Sequence, residues 1–97
     1  SAIGTVDQRV EVLQLLVELG DSDERVRSLR ALAEIDRTAR GRPEEAAARL
    51  RELLRLRPAN TDVILELHAL LIELGKADEA RVALQSGIAA QRALLRD

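Results

Sequence analysis

The sequence predicts an all-α protein, an antiparallel array of about five helices, and three observations carry that expectation. The apolar share of the chain is 46%, supplied wholly by Leu, Ala, Val and Ile, with no Phe, Trp, Tyr, Met or Cys. Leu and Ala are strong helix formers, whereas strands are enriched in β-branched and aromatic residues. Only two prolines and five glycines punctuate the 97 residues, and the glycines fall mostly at segment edges. Between those breaks apolar residues recur at helical spacing, as at Leu50, Leu53 and Leu54, which fills one face of a helix. A chain of this length makes one domain with one modest core.

The elements follow in order. Thr5 caps a first helix over residues 5–19, with Gln8 placed to complete a Thr-x-x-Gln capping box, and Gly20 stops it. Asp21-Ser22-Asp23-Glu24 supplies a cap and negative charge to the next helix N-terminus, where the dipole favours anions. That second helix is expected to run to about Arg40, with Gly41 ending it. Pro43 suits the first turn of a third helix, because its missing N–H would be unpaired there in any case. The third helix ends near Arg57, before Pro58; Asn60 or Thr61 caps a fourth that stops at Gly75; a fifth starts near Ala77 and continues to about Arg96. Connections of two to five residues make neighbouring helices antiparallel.

The chain repeats itself. Gly41 and Gly75, Ala46 and Ala80, Leu50 and Leu84, and Leu54 and Ile88 each stand 34 residues apart. The second unit reads Ile64-x-x-Leu67-His68-x-x-Leu71, then Ala80-x-x-x-Leu84. The first reads Leu29-x-x-Leu32-Ala33-x-x-Asp36, then Ala46-x-x-x-Leu50, then Pro58. This resembles the tetratricopeptide repeat, a helix-turn-helix unit of that period with the pattern Trp-x-x-Leu-Gly-x-x-Tyr, then Ala-x-x-x-Phe, then Pro. The resemblance covers residues 26–94: repeat one over 26–60, repeat two over 61–94, and residues 5–19 as a capping or partial-repeat helix. The sequence departs from the pattern in four ways. Aliphatics replace its aromatics, Asp36 stands where a bulky residue is expected, one extra residue lies between Asp36 and Gly41, and Arg92 replaces the second closing proline. Leu67 and Leu84 are expected in the core, each worth about 2–5 kcal/mol on truncation to Ala.

By spacing alone, Arg27, Arg30, Glu34 and Arg37 share one face of the second helix. The family resemblance implies that this helix lines a concave groove in which a polypeptide lies, followed by Leu65, Ala69 and Ile72 from the fourth helix. Guanidinium groups at one end and aliphatics at the other suit an acidic, amphipathic peptide or helix. The opposing reading is a solvated polar face. The lysine–asparagine clamp that some relatives use to hold a C-terminal carboxylate is missing, since Lys76 lies in a turn and Asn60 at a cap; a chaperone-tail adaptor is therefore disfavoured.

The same residues argue against other functions. His68 is the lone histidine, and without cysteine it cannot anchor a usual zinc site. Ser22, Ser28 and Ser86 lack a nucleophile–base arrangement, and there is no Gly-rich phosphate loop. Neither catalysis, metal nor cofactor is expected. Charge is unevenly spread: residues 1–24 carry −5, residues 25–57 carry +5 through ten arginines, and residues 58–97 carry −2. An overall charge of −2 and no aromatic to stack on a base disfavour nucleic acid. No apolar run is long enough for membrane insertion. The cytoplasm is the expected compartment, a GC-rich bacterium the source that the Arg-, Ala- and Leu-heavy composition suggests, and a longer parent the reading of a start at Ser1-Ala2.

The first helix is apolar round about two-thirds of its circumference, with Asp7, Glu11, Gln14 and Glu18 as a narrow acidic stripe. Such a helix is covered either by further helices of a longer chain or by a second copy. Self-association is therefore expected through Val10, Leu13 and Val17, with Leu94 and Leu95 posing the same question at the other end. Two functions remain: a non-catalytic scaffold or adaptor that binds a polypeptide in a groove, and an oligomerisation domain acting through helices one and five.

Overall fold

A computed structural model describes residues 5–96. Those residues form five helices and no strand: α1 (Val6–Leu19), α2 (Ser22–Arg37), α3 (Pro43–Leu56), α4 (Thr61–Glu73) and α5 (Ala77–Arg96). The backbones approach only between neighbours in sequence, α1 on α2, α2 on α3, α3 on α4 and α4 on α5, and longer side chains reach one helix further. The result is an array 50 Å long and 16 Å thin.

Caps account for most helix starts. Thr5 Oγ1 accepts from the Gln8 N–H at 3.2 Å. Asp21 and Glu24 form a reciprocal capping box, each side chain accepting from the other's backbone N–H, which satisfies two otherwise orphaned donors. Asn60 Oδ1 accepts from the Val63 N–H and so is the cap of α4. Pro43 opens α3 without any side-chain cap. Both hairpin turns, α2–α3 and α4–α5, pass through a glycine with positive φ, Gly41 at 61° and Gly75 at 74°, a conformation that costs other residues a steric penalty.

The expected end of α2 at Arg40 is corrected to Arg37. The Thr38 hydroxyl and N–H both turn back to the Glu34 carbonyl, at 2.7 and 3.0 Å, and local bonds of this type compete with helix continuation. The extra residue between Asp36 and Gly41 is thus taken up in the turn. Beneath that turn Asp36 is completely buried, with Arg40 Nη1 at 3.3 Å and Arg49 Nε at 3.4 Å from its two carboxylate oxygens. Where the family pattern suggests bulk, this chain has a buried carboxylate held by an arginine from the turn and another from α3.

The core runs through α2, α3, α4 and the start of α5, with Leu29, Ala46, Leu50, Leu53, Val63, Leu67, Leu70, Leu71 and Ala80 all buried. A smaller cluster joins Val10 of α1 to Leu32 and Ile35 of α2, with Leu13 and Val17 packed against it. Leu67 is 2% exposed, as expected. Leu84 is only half-buried, which corrects its placement in the core. Its repeat-one counterpart Leu50 lies on α3, which α4 covers, whereas no described helix covers the outer side of α5.

α4 and α5 approach closely at Gly87, which is buried. A Cβ placed there would lie 2.6 Å from Ile64 Cγ2 and 2.8 Å from its Cδ1. Ile64 is itself buried and, being β-branched, stiff at χ1, so it can yield only by leaving its preferred rotamer. Gly87→Ala is therefore expected to destabilise the fold by about 1 kcal/mol: the overpacking cost of about 1–3 kcal/mol exceeds the helix-propensity gain of just under 1. Thermal melts check it, and the same change in an Ile64→Ala background should instead stabilise.

Candidate functional site

The outward face of α2 carries Arg27, Arg30, Glu34 and Arg37, all exposed. They face away from the α1 and α3 contacts because Leu29, Leu32, Ala33, Ile35 and Asp36 turn the opposite side of the same helix inward. Arg27, Arg30 and Glu34 come together on a depression of about 430 Å³, with Val26, Ala31, Leu53 and Asn60 completing it. Arg30 reaches across to α4, its Nη2 at 3.1 Å from Glu66 Oε2. Arg37 lies 3.8 Å from Glu34 Oε2. Arg27 makes no ion pair among the described residues.

Leu65, Ala69 and Ile72 are exposed on α4, Leu65 at 54% and Ile72 at 51%. They form a separate apolar stretch and do not line the arginine depression. Sequence reasoning missed Val26, Leu53 and Asn60 there, and also Glu66, which ties down one of the arginines.

A second depression of about 490 Å³ lies between α3 and α5, floored by Ile64, Leu67 and Gly87 and flanked by Leu54, Val82 and Ala83. Arg51 and Glu79 bridge the two helices there at 2.7 Å. The hydrogen bond from Arg51, helped by the nearby Lys76 charge, holds the Glu79 carboxyl below its ordinary value. Small residues on α5 and the lack of any aromatic side chain leave this space open.

The architecture is one of helical hairpins in series, repeating at 34 residues, with alanines at equivalent close contacts: Ala46 and Ala80 are both wholly buried. The tetratricopeptide repeat family matches residues 37–94, more than half of the chain. The chain belongs to this family. No curated protein matches it. The family match takes in α3 and α4 in full and α5 as far as Leu94, and begins at the last residue of α2. Tetratricopeptide repeats are protein-interaction modules, so the partner class is protein, and the depression on α2 together with the apolar stretch on α4 is the candidate surface. Among the described residues no group of His, Cys, Asp and Glu is placed to hold a metal ion, and no helix is long and apolar enough to cross a membrane.

The self-association residues are placed differently from the sequence expectation. Val10 is 6% exposed, and Leu13 and Val17 pack inward with it against α2. Val10 is enclosed in this internal contact, while Leu13 and Val17 pack against it and keep part of their surface exposed. The outward apolar residues of α1 are Val12, Leu15 and Leu19, at 56%, 51% and 80% exposed. Leu94 and Leu95 do stand on the surface of α5.

Proposed function

We propose that the chain is a non-catalytic scaffold or adaptor module that holds an acidic, amphipathic polypeptide along the outward faces of α2 and α4, with the cytoplasm as its setting. One observation carries this reading. Three exposed arginines on α2, one of them without an ion-pair partner among the described residues, and two half-exposed aliphatics on α4 face outward on helices that the Arg30–Glu66 ion pair links. Guanidinium groups recognise carboxylates in fixed forked geometry, and an amphipathic helix lays its apolar face against exposed aliphatics. Nucleic acid is the poorer fit, because the chain offers no aromatic platform.

The test is fluorescence anisotropy with labelled amphipathic peptides whose polar face is all-Glu or all-Lys. The Glu peptide is expected to bind and the Lys peptide not. The double substitution Arg27→Ala/Arg30→Ala should weaken binding by about tenfold or more, since a hydrogen bond to a charged group contributes about 1.5–3 kcal/mol. Leu65→Arg should weaken it through lost apolar contact, with the circular dichroism spectrum unchanged. Equal affinity for both peptides, or no effect of the arginine substitutions, would remove this reading.

Assembly of the chain with itself through α1 and α5 is a second reading, favoured by Leu19 and Leu95 standing 80% and 86% exposed. Large exposed apolar patches mark interaction surfaces.

A further inference from the structure

We infer that the chain assembles head to tail, the outward face of α1 in one copy covering the outer face of α5 in the next. This rests on the second reading above and adds to it the surfaces, their polarity and the symmetry of the contact.

The internal repeat shows what the outer face of α5 lacks. On α3 the equivalent side is covered: Ala47 is 3% exposed and Leu50 1%. One repeat later, at the same 34-residue offset, stand Arg81, which is exposed, and Leu84, which is half-buried. Ile88 and Leu95 continue that stripe at 45% and 86% exposure, and Arg92 lies one turn past Ile88 on the same side. A helix laid on this face would cover aliphatics and would also take Arg81 and Arg92 out of water. Desolvating a guanidinium without a partner is costly, so the covering helix must carry carboxylates beside an apolar stripe.

The outward side of α1 has that composition. Val12, Leu15 and Leu19 form an exposed apolar row. Glu11 and Glu18, one turn before and just under one turn after Leu15, edge it with negative charge. Among the described residues, Glu11, Glu18, Arg81 and Arg92 all lack ion-pair partners. Charge also decides the symmetry. Two α1 faces brought together would oppose Glu11 and Glu18 to their own copies, and two α5 faces would oppose arginines to arginines. Like charges across an interface are unfavourable. Only the mixed pairing is complementary, and a mixed pairing is heterologous, so it generates open chains unless the rotation closes a ring.

Sedimentation velocity with two complementary variants tests this. Leu15→Arg disables the α1 face and leaves α5 intact; Ile88→Gln does the reverse, and the two altered faces do not complement each other in charge. Wild type is expected to grow past the dimer as concentration rises and to dissociate as salt rises. Each variant alone is expected to remain a monomer. Their equimolar mixture is expected to form a dimer that grows no further, because each partner then has one usable face and that face is spent. Both positions are half exposed, and circular dichroism melts confirm the folded state. Val12→Arg with Leu95→Gln provides an independent pair if either variant misfolds. A wild type that stays monomeric at the highest concentration reached overturns the self-association reading and this inference together. A wild type that assembles, with one variant still dimerising alone or the two monomeric variants failing to pair, overturns only the head-to-tail arrangement.

Discussion

Leu67→Ala is expected to cost about 3 kcal/mol of folding stability, within the range of about 2–5 for a buried leucine, and to lower the melting temperature by roughly 12–24 °C in a domain of this size. Leu67 is 2% exposed and lies within the cluster that joins α3, α4 and α5 through Leu50, Leu53, Leu70, Leu71 and Ala80. It also floors the cleft between α3 and α5, so removing its isobutyl group deepens a space that the surrounding helices already fail to close. The Arg51–Glu79 ion pair at 2.7 Å spans the same cleft; being exposed it adds little stability, and the cost is placed in the middle of the range. The paired control is Leu84→Ala. Its position is equivalent to that of Leu50 in the repeat, yet Leu84 is half-buried. It should cost less than half as much, about 1 kcal/mol, because the area removed from water is smaller. Urea melts of the two variants side by side check this; equal losses would mean that the outer side of α5 is covered in solution, which bears directly on assembly.

That contrast shows what kind of information a single sequence holds. Helix starts were legible because capping chemistry is local: Thr5, Asp21 with Glu24, and Asn60 each act within three residues of themselves. The array was legible because a 34-residue period repeats the whole hairpin. Residues whose state depends on a distant neighbour were not. Leu84 has the type and register of a core leucine, and its half-exposure follows from the absence of a covering helix among the described residues. Val10, Leu13 and Val17 were expected to meet another chain. A helix apolar round two-thirds of its circumference does not reveal which side its neighbour takes, and α2 took theirs through Leu32 and Ile35. The arginine face of α2 was readable from spacing, but the capture of Arg30 by Glu66 depends on the placement of two separate helices. On the outward face of α2, the residue types were legible and the internal pairing was not.

The second large effect is expected at Asp36, which reads as an anomaly in the repeat pattern and is fully buried. Asp36→Ala should cost about 2–4 kcal/mol. Removing one member of a buried ion pair costs about 3–5 kcal/mol when the remaining charge has no escape. Here the side chains of Arg40 and Arg49 retain 19% and 23% exposure and can recover part of their hydration, which lowers the figure. Asp36→Asn keeps the shape and one acceptor oxygen and should fall between wild type and Asp36→Ala. The distinguishing measurement is a double-mutant cycle with Arg49→Ala, read by chemical denaturation. The two residues are neighbours across α2 and α3, so the losses should be sub-additive by about 1–3 kcal/mol. Additive losses would mean that Asp36 acts through its own packing, with no energetic link to the arginine of the next helix. Coupling of that size would instead make the carboxylate the fastening between the two helices of the first hairpin. That would explain how the turn tolerates an extra residue: the buried ion cluster holds α2 to α3 from beneath, so the loop above it is free to lengthen by one position without shifting the arginine face of α2.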